Sequence, residues 1–208
     1  MSSLTSILRE RGSGAPSGLT RRRFLGRAAA AAGSVILASA AGTVRARASA
    51  RPGTMLDELV PEINPVLRLR NTNTGERFHG TYFDWRTGNY HREVMGQLNW
   101  FFRDWRERAV MAIDPRLFWA LSALSQGAIG DGHDGEIRVT SGYRTPQTNR
   151  SLPGAARNSY HLRGKAVDLQ VRGIPPRDIA EYMAWLGVGG VGRYSTFVHI
   201  DSGDERRW

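Results

Sequence analysis

Not one cysteine occurs in the 208 residues. That removes disulfides, thiolate metal sites, cysteine nucleophiles and lipid attachment through an N-terminal cysteine. Any metal must then be held by His, Asp or Glu. The length suffices for one domain with its own core and is short for two, which predicts a single domain with an extension at one end. No run of 18 or more residues is apolar enough to predict a stable membrane span in the body of the chain.

A formal net charge of +10 would suit a partner such as nucleic acid or an anionic surface. Its distribution argues otherwise. Residues 1–48 hold eight arginines (9, 11, 21, 22, 23, 27, 45 and 47) against the single acid Glu10, a net +7 that leaves only +3 for the rest, so no nucleic-acid partner is expected. Thr20-Arg21-Arg22-Arg23-Phe24-Leu25 precedes a small-residue, weakly apolar run from Ala28 to Val44, and Ala46-Arg47-Ala48 has the small-x-small pattern of a cleavage site. Paired arginines followed by Phe-Leu and a modestly hydrophobic core resemble a twin-arginine export signal. The resemblance implies engagement of the twin-arginine export machinery and an exported, periplasmic protein that crosses the membrane folded.

Three parts are expected: a leader (1–48), a connector with prolines and little regular structure (49–65), and one domain (66–208). Val66 to Arg70 alternates apolar and basic residues, Asn71 to Gly75 offers a turn, and Phe78 to Phe83 resumes a strand pattern, which together predict a β-hairpin. Val94, Leu98, Phe101 and Trp105 share one face of a helix expected over His91 to Arg108. A second helix opens at Asp114-Pro115 with Leu117, Leu121 and Leu124 inward, and the two should pack together. The aromatic stripe Trp100, Phe101, Phe102 and Trp105 is assigned to the core on its helical spacing. Gly127 to Gly135 is expected as a loop, Ile137 to Thr140 and Lys165 to Val171 as strands, and Pro176 onward as a helix carrying Ile179, Met183 and Leu186. Gly187 to Gly192 is expected as a turn and Thr196 to Ile200 as a last strand, giving a compact α+β domain.

Two of the five histidines, His161 and His199, stand in settings that suit a metal. His161 is followed by Gly164 and a strand carrying Asp168, and a tight turn at the glycine would let both side chains converge on one ion. In Phe197-Val198-His199-Ile200-Asp201 the period of two puts His199 and Asp201 on one face and Val198 and Ile200 on the other. Ser159 has no Gly-x-Ser-x-Gly elbow around it, and the glycines of 187–192 lack the Lys-Ser/Thr ending of a phosphate loop.

Ser-x-His-x-x-Gly-x-Ala-x-Asp (159–168) followed by Phe-Val-His-x-Asp (197–201) resembles the zinc murein peptidases related to the D-Ala-D-Ala carboxypeptidases of the VanX and VanY type, most of all the murein endopeptidase K group. The likeness extends to Ser141-Gly142-Tyr143-Arg144-Thr145 with Asn149, to the Gly189–Gly192 turn and to Arg206-Arg207-Trp208. It implies a hedgehog / D-Ala-D-Ala peptidase-like fold with a short antiparallel sheet carrying the metal between flanking helices. It further implies a Zn2+ cofactor on His161, Asp168 and His199, peptidoglycan as partner and substrate, Arg144 beside the substrate peptide or its carbonyl, and Ser159 in a structural or substrate-facing role. The implied activity is cleavage of peptide cross-links in the wall. A D,D-carboxypeptidase and a non-catalytic wall-binding protein are the alternatives. The carboxypeptidases place a glutamate base three residues before the last histidine, where this chain has Thr196. Asp201 is the substitute candidate, as base or as orienter of His199, with His133 a third candidate.

Overall fold

A computed structural model describes residues 53–208, so the expected leader and residues 49–52 of the connector lie outside the described residues. The rest of the connector departs from its expected irregularity. Met55–Leu59 forms a helix (α1), continued by a 3-10 turn at Val60–Glu62, and Leu56, Leu59 and Ile63 are buried. The local cause is Thr54, whose hydroxyl caps the helix by accepting from the Asp57 N–H. The tertiary cause is Arg116, almost fully buried, which ion-pairs with Asp57 and donates to the Thr54 hydroxyl (2.8 Å) and the Gly187 carbonyl (3.0 Å). A buried guanidinium needs such partners, and only the folded chain shows where they are.

The expected hairpin forms: β1 (Val66–Asn71) pairs antiparallel with β2 (Arg77–Thr81), Leu69 opposite Phe78. A two-residue ladder, β3 (Phe83–Asp84) with β4 (Asn89–Tyr90), leads into α2 (Arg92–Phe101). This helix is shorter than its apolar pattern predicts. The buried carboxylate of Asp104 accepts from the N–H groups of Arg106 (3.1 Å), Glu107 (3.4 Å) and Thr145 (2.9 Å) and from the Thr145 hydroxyl (3.0 Å), which turns the chain into a tight loop bridged at Asp104 and Ala109. Trp105 therefore leaves the helix and, like Trp100, is exposed, while Phe101 and Phe102 join the core as expected.

The helix opened by Asp114-Pro115, α3 (Pro115–Gly130), buries Leu117, Leu121 and Leu124 and runs on through glycines expected in a loop. It packs chiefly on β1 and on α5 (Pro176–Leu186) rather than on α2, which lies against β2. Between them in sequence come β5 (Ile137–Ser141), α4 (Pro146–Ser151), a 3-10 turn at Tyr160–Arg163 and β6 (Ala166–Val171). Gly187 ends α5 in the left-handed conformation, but Gly190–Arg193 is a strand (β7), not a turn; it pairs with β8 (Val198–Asp201) and with β9 (Arg206–Arg207).

Seven strands make one mostly antiparallel sheet in the order β2-β1-β5-β6-β8-β7-β9, so the domain is α+β, with parallel pairing only at β1/β5 and β7/β9. Val167, Leu169, Val198 and Ile200 enter the core with Ile179 and Met183 of α5. Strand alternation assigns the intervening Asp168, His199 and Asp201 to the opposite face. The sheet register places Asp168 directly across from His199, and Ala166 across from Asp201. No helix among the described residues is long and apolar enough to cross a membrane.

Candidate metal centre

The site is a row across the sheet. A register shift in β5 sets Ser141 opposite Asp168, Asp168 faces His199, and His199 faces Gly192. Without that bulge Ser141 would pair one residue away and point to the other face. Directly paired residues on one face carry side chains about 5 Å apart at their roots, so Asp168 and His199 meet without any loop having to position them.

His161 comes from outside the sheet. Its 3-10 turn is capped by the Ser159 hydroxyl, which accepts from the His161 N–H (3.3 Å), and closed by Gly164 in the left-handed conformation. Gly164 also sits where a side chain would strike the Met111–Ala112 backbone and side chain. The turn lowers the ring over the Asp168–His199 pair, leaving His161 1% exposed.

The structure brings His161 Nε2, Asp168 Oδ1 and His199 Nδ1 together at 3.1 Å (His161–Asp168), 3.2 Å (His161–His199) and 2.8 Å (His199–Asp168). The other nitrogen of each ring is spoken for. His161 Nδ1 lies 2.6 Å from the Gly142 carbonyl, which can only accept, so Nδ1 carries the proton and Nε2 presents a lone pair. His199 Nε2 lies 3.0 Å from the Asp201 carboxylate, which assigns its proton in the same way and frees Nδ1. Two imidazole lone pairs and a carboxylate oxygen thus face one another, an arrangement that repels itself unless a cation sits among them. A tetrahedral zinc with bonds of about 2.0–2.1 Å separates its donors by about 3.3 Å; the observed triangle needs to open by only a few tenths of an ångström. The donor set and its spacing fit a divalent ion with a free corner, and these three residues are a group able to hold one.

Charges around the triangle are arranged to keep Asp168 ionised. Burial works against its charge, yet His161, His199 and Arg144 outweigh burial and hold the carboxyl well below the usual range. Burial lowers the His161 pKa, and Asp168 only partly offsets it. For His199 burial is again the largest influence, but Asp168 and Asp201 together overcome it and raise the value.

Arg144 donates through Nε to the Ser141 hydroxyl (2.8 Å) and through Nη2 to the outer oxygen of Asp168, which turns Oδ1 toward the histidines. Its Nη1 has no partner among the described residues. Asp201 is fully buried on the far side of His199, and five N–H groups converge on it: His199 Nε2, Arg206 Nη2 (2.7 Å), Arg206 Nη1 (3.1 Å), Gly190 (3.3 Å) and Gly203 (2.8 Å). Thr196 is exposed and does not line the cavity, and His133 packs over Gly173 away from it.

The triangle forms the floor of an open cavity of about 920 Å³. One wall is the small-residue segment 152–156; the other is aromatic, with Tyr194 and Phe197 stacked at 4.4 Å and Trp208 donating from Nε1 to the Tyr194 hydroxyl (3.1 Å). The sequence alone did not single out Tyr194 or Phe197 as wall residues; the signal available was their position around the start of the predicted strand that carries His199.

Comparison with known proteins agrees with the geometry. The family model described as peptidoglycan L,D-endopeptidase MepK matches residues 62–208. The chain is 40% identical over 149 residues to the peptidoglycan L,D-endopeptidase MepK of Escherichia coli K12, covering 69% of this chain and 79% of that protein, and equally so to the protein of that name from Shigella flexneri. It is 36% identical over 149 residues to the probable peptidoglycan L,D-endopeptidase MepK of Haemophilus influenzae, covering 69% of this chain and 78% of that one. A family model that matches residues 62–208, together with relatives 40% identical over 149 residues, makes this chain a member of the peptidoglycan L,D-endopeptidase MepK family.

Proposed function

We propose that the chain is a zinc-dependent endopeptidase that hydrolyses amide bonds in peptidoglycan cross-links, with His161, Asp168 and His199 as metal ligands. Its family membership supports the wall peptide as substrate. The observation that carries the choice of endopeptidase over carboxypeptidase is the state of the two guanidinium groups on the cavity wall. An enzyme trimming a terminal residue needs a cation free to take the chain-end carboxylate. Arg144 is committed to Asp168 and Ser141, and Arg206 holds Asp201 with both terminal nitrogens, so neither presents an open fork. The cavity is open, as a chain passing through in both directions requires.

Bound at this triangle, zinc would supply Lewis acidity toward the scissile carbonyl and bring the pKa of a water to about 7. The protein's own groups do the rest. The Asp168–His199 pair and the overhanging His161 fix the donor triangle, and the Gly142 carbonyl and Asp201 fix which nitrogen of each ring faces it. With Nε and Nη2 engaged, Arg144 keeps Nη1, a single-point donor rather than an open fork, for a substrate carbonyl oxygen, in keeping with the role implied for this arginine. Ser159 serves the turn that carries His161 and lines the same cavity, so its hydroxyl is also within the substrate's compartment. Of the two roles open to Asp201, orientation of His199 is the better supported, because a buried carboxylate already accepting five N–H groups has no lone pair left for a water proton.

Cross-linked and uncross-linked muropeptides digested with and without a chelator test the proposal. Loss of cross-linked species only, abolished by chelation and restored by zinc, is expected. Release of terminal D-alanine from monomers would favour the carboxypeptidase, and binding to sacculi without any cleavage would favour a non-catalytic wall protein. The substrate lies outside the cytoplasmic membrane, and the leader supports delivery to the periplasm through the twin-arginine machinery.

A further inference from the structure

The strand that follows the last ligand is built around the metal centre rather than around the core. β9 lies parallel to β7, with Arg206 beside Gly190 and Arg207 beside Val191, and the Arg193 N–H donates to the Trp208 carbonyl (2.9 Å). Alternation splits its side chains. Arg207 reaches back to the Ala184 carbonyl of α5, while Arg206 and Trp208 lie on the side of the ligands. Arg206 grips both oxygens of Asp201, and its guanidinium lies 4.9 Å from the centre of the Tyr160 ring and 5.0 Å from that of Trp208. The Trp208 ring in turn lies 5.4 Å from the His199 ring.

β7 leaves room for this arrangement. Gly190 stands opposite Asp201 and Gly192 opposite His199. A Cβ on Gly190 would come within 2.7 Å of Arg206 Nη1, and one on Gly192 within 2.5–2.7 Å of the Trp208 ring. The glycines in the strand expected to be a turn are therefore the space in which Arg206 and Trp208 sit.

We propose that Arg206 is a positioning residue of the metal centre: by clamping both oxygens of Asp201 it fixes the carboxylate that holds the His199 ring with Nδ1 toward the ion. The inference rests on His161, Asp168 and His199 being the ligands. Loss of the clamp leaves the fully buried Asp201 without its counter-charge, and Oδ2, the oxygen that faces the His199 ring, loses its one other donor, so the ring is held less firmly in direction. Partners of metal-bound histidines cost about 10–100-fold in metal affinity when removed, and the loss is expected in affinity, ahead of any loss of fold.

The test is a zinc competition titration of the folded protein against a chromophoric chelator at fixed pH, with circular dichroism recording the fold. Arg206→Gln is expected to bind zinc about 10–100-fold more weakly than the parent protein, and Arg206→Lys, which keeps the charge but not the fork, to fall between them. In an Asp201→Asn background Arg206→Gln should change affinity by no more than about twofold, because the pair acts as one unit. Arg207→Gln, on the same strand but the other face, should bind as the parent does. Parent-like affinity in Arg206→Gln, an undiminished further loss in the Asp201→Asn background, or an equal loss in Arg207→Gln would each overturn the proposal. If Arg206→Gln does not fold, Arg206→Lys carries the test, and parent-like affinity there overturns it. A parent protein that binds no zinc, or a His161→Ala variant that binds it undiminished, would instead bring down the ligand assignment beneath.

Discussion

Replacing Gly142 by alanine should damage fold and site together, and the structure says by how much. A Cβ at this position would stand 3.0 Å from both the carbonyl carbon and the Cβ of Phe102, and closer still to the Phe102 carbonyl oxygen. Carbon atoms in contact prefer about 3.5–4.0 Å, so roughly 0.5–1 Å of movement is required. Neither side can give it freely. Phe102 is 1% exposed in the core and its carbonyl accepts from the Tyr143 N–H (2.8 Å), while the Gly142 carbonyl accepts from His161 Nδ1 (2.6 Å). Overpacking of this kind costs about 1–3 kcal/mol, and weakening the Tyr143 bond adds about 1 kcal/mol, for a total near 2–4 kcal/mol. Urea unfolding of the metal-free Gly142→Ala variant measures that loss directly. Zinc titration of the same variant should show weaker binding by about tenfold or more, because the group that fixes the His161 tautomer has shifted. Stability within about 0.5 kcal/mol of the parent, the range of ordinary surface substitutions, would refute the reasoning, since it would mean the β5 end and the Phe102 backbone do not meet as described.

Zinc at a thousand times its dissociation constant should raise the unfolding free energy by about 4 kcal/mol through binding to the native state alone; a chelator-insensitive melting temperature would contradict a metal centre here. Zinc affinity should fall as pH drops, because each histidine binds metal only when neutral and the His199 pKa is raised by Asp168 and Asp201, so protons compete at this ring from a higher pH than at a free imidazole; competition titrations between pH 5 and 8 that show a flat response would count against it. Tyr194→Ala, which removes one half of the exposed aromatic stack without touching a ligand, should raise KM for muropeptides about fivefold, near 1 kcal/mol, with kcat and zinc stoichiometry little changed; an equal fall in kcat would place the ring at the chemistry instead. Lysine in place of Arg21, Arg22 and Arg23 should hold the protein in the cytoplasm on fractionation, whereas undiminished export would exclude the twin-arginine route.

What the sequence makes legible here is what depends on neighbours along the chain. Period-two alternation in residues 197–201 already separates His199 and Asp201 from Val198 and Ile200, and the Gly164 turn already suggests that His161 and Asp168 converge. The hairpin at 66–81 and the helix from Pro115 follow from patterns equally local. The misplaced elements are those decided by one distant partner. The 55–62 segment is held by Arg116, some sixty residues on, and α2 stops because Asp104 finds Thr145. Neither partner leaves a mark at the segment it organises, except the Thr54-x-x-Asp57 cap that a helix start would use.

The same distinction explains why the glycines of 187–192 mislead. Glycine in a sequence signals a turn because it tolerates positive φ, and Gly187 and Gly189 do adopt it, at 67° and 139°. Gly190 and Gly192 are glycine for the other reason glycine is used, the near approach of something else: Arg206 and Trp208 occupy the volume their side chains would fill. A single run of glycines thus serves two unrelated needs, a change of direction followed by a strand stripped bare on one face. The second need exists only because Asp201 and His199 lie directly across the ladder, so Gly190, the buried carboxylate and the arginine that clamps it are coupled through one contact. An alanine at Gly192 alone should displace the Trp208 ring and leave the core untouched, since that ring is half exposed and has solvent to move into; the same change at Gly190 meets the exposed Arg206, which can swing outward, and also the fully buried Asp201 carboxylate, which cannot.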